Sequence, residues 1–319
     1  NKIINSAVKK KIDKGNISSL NNIEELLLAE KLKKIDPWAE CVQFARTGGD
    51  ANSIAIRIAR AYTKSSKIAI CGYHGWHDWY LSANLNKKNN LNQHLFSGLD
   101  ISGVPKELKK TVFPFMYNDF DYLKKIVKKY AIKIIKMEVI RREAPKNNFL
   151  KKIRSFCNKN NIILIFDECT SGFRETLGGY YKKFSVIPDI LIYGKAIGNG
   201  FPITTVLSKR KFFNVASKTF ISSTFWSEGV GPTAALKTIE LMERKKSWIL
   251  ISQTGKHLKK RIKKLFVKHK IDGVIKGIDA IIKIEFKTNN KVKIKYISQE
   301  MLKKNILAGP NIFVSIAHK

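Results

Sequence analysis

IILIFDECTSGFR (162–174) and PDILIYGKAIGNG (188–200) decide how this chain folds. Each opens on an unbroken apolar run and passes at once into polar residues and glycine. Such runs mark parallel strands buried on both faces, with a functional edge where the polar residues begin. In an open α/β sheet, ligands bind beyond the carboxyl ends of the strands. Asp167, at the end of the first run, and Lys195, just past the second, are therefore expected to face one crevice. A lysine that is desolvated, or set beside another cation, loses basicity and becomes an amine nucleophile toward carbonyls. On spacing alone, an ordinary salt bridge at a sheet edge accounts for the same pair equally well.

The chain has 319 residues, enough for a large core and more than one lobe, and 44% of them are hydrophobic, as in globular proteins. No apolar run approaches the ~20 residues of a membrane helix, and the opening NKIINSAVKKK (1–11) has no signal-peptide core. The absence of an initiator Met leads us to expect a truncated N-terminus. Cys41, Cys71, Cys157 and Cys169 are scattered, so neither a zinc site nor a disulfide framework is expected, and a reducing cytoplasm fits. The net charge of +35 invites a nucleic-acid reading. The lysines are spread along the whole chain with no nucleic-acid motif, so a compositional bias explains them better and nucleic acid is not an expected partner. A basic surface still favours anionic substrates by steering.

Two helices are read at 1–14 and 23–32. A strand at 42–44 leads into the turn Thr47-Gly48-Gly49-Asp50 and a helix over 51–62. A glycine turn opening a helix presents free N–H groups and the positive dipole end, which suits a phosphate. The strand at 67–71 runs into the aromatic turn Tyr73-His74-Gly75. His74, His77 and Asp78 are an incomplete ligand set, and no metal is expected. Residues 84–118 read as a long loop with short elements, followed by a helix over 119–130. The strand at 132–139 contains Glu138, which is either a site-ordering acid or a strand-end acid paired with a nearby Arg. A helix at 149–160 feeds the first quoted strand. Beyond Lys195 come a strand at 204–208, a helix around Pro232, a basic helix at 247–272, and strands at 280–287 and 291–296. That change from βα units to a meander sets an expected boundary: a large domain over 1–244 and a small C-terminal one over 245–319, both cut short at their outer ends.

DECTSGFR (167–174) followed by GKAIGNGFPI (194–203) closely resembles the class III, fold type I aminotransferases, within them the glutamate-1-semialdehyde aminomutase-like branch. The resemblance covers essentially the whole chain and is most specific over 162–232. It implies an α/β fold with a large domain built on a mixed, mostly parallel sheet and a smaller α/β domain. It implies pyridoxal 5'-phosphate (PLP) as cofactor, held by Lys195 as a Schiff base, with Asp167 keeping the ring nitrogen protonated. By the same resemblance, Gly48 and Gly49 hold the phosphate, although Gly49 stands where a hydroxyl residue is usual. Tyr73, in the matching Tyr-His-Gly run, stacks on the ring beside His74. Glu138, followed by Val139 where Pro is usual, orders the site from behind, as does Glu168. FISSTFWSEG (220–229) resembles a segment whose threonine reaches the phosphate of the neighbouring subunit. Thr224 matches it, implying a homodimer with a shared active site.

The implied function is amino transfer between a small-molecule amino donor and a carbonyl acceptor. The departures at Gly49, Trp76 and Val139 favour a divergent transaminase, for an amino sugar or other aldehyde. The alternative is intramolecular transfer by a glutamate-1-semialdehyde 2,1-aminomutase. An alternative of another class is a non-catalytic basic binding protein on the same fold, against which the intact Asp167 and Lys195 stand.

Overall fold

The computed structural model of the chain describes residues 1–94, 98–140 and 143–318. Arg141 and Arg142 of the strand-end segment, and Lys319 at the C-terminus, lie outside the described residues.

The strands β1 (Cys41–Ala45), β2 (Ile68–Cys71), β3 (Val112–Pro114), β4 (Ile134–Glu138), β5 (Ile163–Glu168), β6 (Ile190–Tyr193) and β7 (Thr204–Ser208) form one sheet in the order β1-β7-β6-β5-β4-β2-β3. β7 runs antiparallel to both its neighbours, and the pairings from β6 across to β3 are parallel. The α/β sheet expected from the two quoted runs is thus the observed one, and these runs are its central neighbours β5 and β6. Both are buried throughout, which is why their sequences carry no polar alternation.

Alternation appears instead as two separate cores. Ile163 and Ile165 pack with Ile54, Ile58 and Ala59 of α3 (Gly48–Thr63). Leu164 and Phe166 point the other way, into a core that holds Leu28 and Leu32 of α2 (Ile23–Ile35), Leu123 of a helix over Phe120–Tyr130 and Ile153 of one over Phe149–Lys159. This period of two along β5 sends Asp167 to the α3 side and Glu168 to the opposite side. The helix α1 (Lys2–Asp13) precedes α2. After α3 come α4 (Asp78–Leu81), α5 (Ala83–Asn86), and the two just described as α6 (Phe120–Tyr130) and α7 (Phe149–Lys159). Beyond β7 lie α8 (Arg210–Ala216), α9 (Val230–Lys245), α10 (Ser247–Lys268) and α11 (Asn290–Leu302), with a second sheet of β8 (Gly273–Lys276), β9 (Ile281–Phe286) and β10 (Asn311–Phe313), ordered β10-β9-β8. Among the described residues no helix is long and apolar enough to cross a membrane.

One expectation is overturned. The alternating stretch 291–296 does not form a strand; it lies inside α11. The alternation of KVKIKY comes from lysines interleaved with apolar residues, and none of the α11 side chains is buried. Nothing therefore holds that stretch to a sheet face. Asn290 Oδ1 accepts the Phe286 N–H (2.9 Å) and turns the chain out of β9 into the helix. Short β3, β8 and β10 also escaped the periodicity reading, since three or four residues carry too little pattern.

α10 docks on the second sheet at Gly255, which is buried in the helix interior. A Cβ there would collide with the Asp279 carbonyl oxygen. Gly255→Ala gains about 1 kcal/mol of helix propensity, but overpacking costs about 1–3 kcal/mol. We expect net destabilisation in a denaturant titration; a variant more stable than the parent would refute this docking.

Candidate active site

Asp167 sits at the carboxyl end of β5, in register with Glu138 of β4 and Ile192 of β6, and is 3% exposed. A buried carboxylate requires partners. Asp167 Oδ2 lies 2.8 Å from His74 Nδ1, and Oδ1 accepts the Cys169 N–H at 3.1 Å. With an ionised acceptor, His74 carries its proton on Nδ1. Lys136, two residues before Glu138 on the same face of β4, is fully buried, and its Nζ has no hydrogen-bond partner among the described residues. Burial alone would raise the Asp167 pKa. The Lys136 ammonium and the His74 hydrogen bond outweigh it and hold the carboxyl well below the usual carboxylate range. Burial pushes Lys136 down to about 8, against the pull of Asp167.

Lys195 follows the end of β6 with φ +47°, a left-handed conformation that costs a non-glycine residue about 1 kcal/mol or more. It is exposed, and its Nζ donates to Thr170 Oγ1 at 2.8 Å. A cavity of about 310 Å³ is lined by Lys195, Gly48, Arg46, Cys169, Gly194 and Thr204 among others. Cys169 Sγ fills the floor, close enough that a Cβ on Gly194 would lie 3.2 Å from it. Burial pushes that thiol up, so it behaves as an apolar filler. Gly48 opens α3, three residues earlier than the sequence suggested. Thr47 Oγ1 accepts the Asp50 N–H (3.1 Å), and the Asn52 amide donates to the Gly48 carbonyl (2.7 Å). The Gly48 and Gly49 N–H groups, first in the helix, stand outside its hydrogen-bond ladder. Asp167, Lys195 and the N-terminus of α3 therefore meet at one edge of the sheet.

The remaining sequence candidates act at greater remove. Glu138 Oε2 accepts the Tyr73 N–H (3.0 Å). It crowds Gly72, where φ is +113° and a Cβ would meet that oxygen at 2.5 Å, so only glycine turns the chain here. Glu138 thus holds the turn that presents Tyr73. His74 is 1% exposed and is spent on Asp167. Glu168 accepts from Tyr180 N–H (2.6 Å), Tyr181 N–H (2.8 Å) and Ser171 Oγ (2.9 Å), on the far side of the sheet from Asp167. Burial pushes it up to about 7 against these donors. Thr224 lies in a short turn over Thr224–Ser227 and faces solvent. Arg46 fastens that turn, through Nη2 to the carbonyls of Trp226 (2.7 Å) and Glu228 (3.0 Å) and through Nε to Glu228 Oε1 (3.0 Å). Sequence reasoning passed over Lys136, Thr170 and Arg46. A lysine at an inward position of an otherwise apolar strand is the signal that could have found Lys136.

A family model described as aminotransferase class-III matches residues 1–313. The 3-aminobutyryl-CoA aminotransferase of Cloacimonas acidaminovorans is 32% identical, over 93% of this chain and 71% of its own length. The glutamate-1-semialdehyde 2,1-aminomutase of Hyperthermus butylicus is 30% identical, over 99% of this chain and 79% of its own. Among solved structures, the PLP form of the FumI protein of Sphingopyxis sp. MTA144 superposes with a TM-score of 0.88 at 23% identity, over 99% of this chain and 75% of that one, which shows a shared fold.

Burial pushes Lys136 from the ordinary 10.5 down to about 8 in the folded chain. Between those values the unfolded chain binds more protons, so stability rises as the pH climbs through that window. The full span is about 3 kcal/mol. Lys136→Met should flatten this part of the stability–pH curve, followed by chemical unfolding at fixed ionic strength; an unchanged slope would show that Lys136 is not the group titrating.

Proposed function

The chain belongs to the class-III aminotransferases and is a PLP-dependent enzyme of amino transfer, and from that premise we propose that Lys195 binds the cofactor covalently and that the chain is a transaminase. The observation that carries this reading is the convergence of Lys195, Asp167 and the Gly48–Gly49 helix start at one sheet edge. These residues fit the group. The two glycine N–H groups suit its phosphate, and the buried, permanently ionised Asp167 suits a protonated ring nitrogen. Lys195 supplies the amine that its aldehyde requires. Tyr73 forms the aromatic wall, with Glu138 behind it. We assign His74 to Asp167, as the donor that fixes its carboxylate, and Glu168 to holding the loop after β5 from the opposite face.

Bound there, PLP supplies an electron sink for the carbon that bears the transferred nitrogen. Lys195 Nζ removes the proton from that carbon and returns it, as a general base and acid. Its bond to Thr170 Oγ1 holds the amine in place between uses. Asp167 stays ionised throughout, because Lys136 and His74 stabilise its charge. The substrate reaches Lys195 from a second cavity of about 480 Å³, lined by Phe173, Arg174, Leu241, Ile251 and Val314. Arg174 is held there by its Nε bond to the Thr170 carbonyl (2.6 Å) and by the Phe313 ring (5.4 Å). We read the substrates as a small amino donor and a carbonyl acceptor bearing an anionic group toward Arg174.

We also read residues 1–244 as the lobe that binds the cofactor, 245–319 as a smaller lobe, and the cytoplasm as the compartment, with four free cysteines. Thr224 serves a partner subunit in this reading. It sits on a face where Phe220 and Phe225 are 86% and 66% exposed, beside Leu26 at 58%. Aromatics on such a face suit an isologous interface.

Borohydride reduction with PLP present should place the adduct on the Lys195 peptide, and Lys195→Ala should lose both adduct and turnover. An adduct mapped to any other lysine refutes the assignment. Release of a keto product that depends on a separate acceptor distinguishes a transaminase from intramolecular transfer.

Thr224→Ala should weaken PLP about ten- to a hundredfold, the worth of one hydrogen bond to a charged group, while the dimer mass stays unchanged. Mixing Thr224→Ala with Lys195→Ala chains decides where the threonine acts. If it acts across subunits, the mixed dimer regains one site with both groups intact and so regains tight PLP binding. Mixed dimers that never recover it would place Thr224 in its own subunit's site or in none.

A further inference from the structure

Gly49 leaves a gap at the start of α3, and the structure shows what fills it. A Cβ built on Gly49 would stand 2.8 Å from His77 Nε2 and 3.2 Å from His77 Cδ2. The imidazole therefore occupies the space that a side chain at position 49 needs. The turn carrying it is seated on the same glycine, since a Cβ on Gly75 would meet the Gly49 Cα at 3.2 Å.

The ring is held by its other nitrogen. His77 Nδ1 lies 2.6 Å from Ser53 Oγ, one helical turn beyond Gly49. Ser53 Oγ also accepts from the Trp79 indole Nε1–H at 3.1 Å. An indole nitrogen only donates, so the serine oxygen is an acceptor on that side and its own proton is available to His77 Nδ1. Where Nδ1 accepts that proton, the neutral ring carries its own proton on Nε2. Nε2 lies at the first turn of α3, against Gly49. Trp79 is buried and fixes Ser53, Ser53 holds the ring, and in this tautomer Nε2–H is a donor at the helix terminus.

We propose that His77 is a phosphate-binding residue of this enzyme, its Nε2–H replacing the side-chain donor that Gly49 lacks. The inference rests on the reading that the cofactor's phosphate sits at the Gly48–Gly49 turn. It also accounts for the glycine, because a larger residue at 49 and the imidazole exclude each other.

The test is equilibrium binding of PLP and of pyridoxal, which lacks the phosphate, to the full chain stripped of cofactor. His77→Phe fills the space without a donor and should weaken PLP about ten- to a hundredfold, with pyridoxal affinity unchanged. His77→Gln, which carries an amide N–H to the same region, should stay within a few-fold of the parent. Gly49→Ser should weaken PLP in the parent, where it collides with the ring, and strengthen it in His77→Ala, where the space is open. Unchanged PLP affinity in His77→Phe, or parallel losses of PLP and pyridoxal, would overturn the proposal. So would a Gly49→Ser effect of the same sign in both backgrounds, a comparison that survives if His77→Phe does not fold. Gly48→Asp tests the underlying reading separately, since a carboxylate at the turn must repel the phosphate. If that variant binds PLP normally, the turn is not the phosphate site, whatever His77 does.

Discussion

A negative charge buried at the carboxyl end of β5 organises the catalytic half of this molecule. Asp167 is 3% exposed, and an ion in that position persists only if every neighbour is arranged for it. Three elements meet the demand. The turn after β2 delivers the His74 Nδ1–H, the turn after β5 delivers the Cys169 N–H, and β4 delivers the Lys136 ammonium. Each carries a further consequence. His74 belongs to the aromatic turn whose Tyr73 is fastened by Glu138. Cys169 packs under the Gly194 backbone that leads to Lys195. Lys136 brings a second buried charge into the layer between the sheet and α3. The strand ends are thus coupled through one carboxylate, and the position of Lys195 depends on it indirectly.

How much of this was legible follows from how each element is stabilised. β5 and β6 are buried on both faces, so their apolar runs were unambiguous, and the polar residues at their ends gave Asp167 and Lys195 directly. The Thr47-Gly48-Gly49-Asp50 turn was legible as a helix start, because its local chemistry does not depend on distant residues. α11 was not legible: its lysines and apolar residues alternate, and with no buried side chain nothing in the sequence says which period is obeyed. His77 was seen only as an incomplete metal set, because its fit to Gly49 and Ser53 is made by the fold. The same holds for Arg46, whose partners at Trp226 and Glu228 lie some 180 positions away.

The excess of positive charge also takes a different form once the fold is known. Seven of the 25 acidic residues, Glu25, Asp36, Glu138, Asp167, Glu168, Glu175 and Glu228, are buried. Six of them, all but Glu25, accept hydrogen bonds from internal donors, as Asp36 does from the hydroxyls of Tyr181 (2.6 Å) and Tyr193 (2.8 Å). The surface is therefore more basic than the composition alone suggests, and a field of one sign concentrates anions at the mouth of a cleft.

Alternation along β5 explains why two adjacent acids do such different work. Asp167 faces the α3 side of the sheet, where cationic neighbours hold its carboxyl well below the usual carboxylate range. Glu168, one residue on, faces the opposite core and gathers two backbone N–H groups and a serine hydroxyl. Burial there raises its pKa to about 7. Its three donors fasten the excursion through residues 171–181, which carries Arg174 to the wider cavity. A slip of one residue in the pairing of β5 would exchange the two faces. Glu168 would then meet Lys136 and His74, and Asp167 would be too short to collect the same three donors. Register in this strand is therefore set by polar groups as well as by packing, and the cavity and the loop that borders it are fixed by one choice.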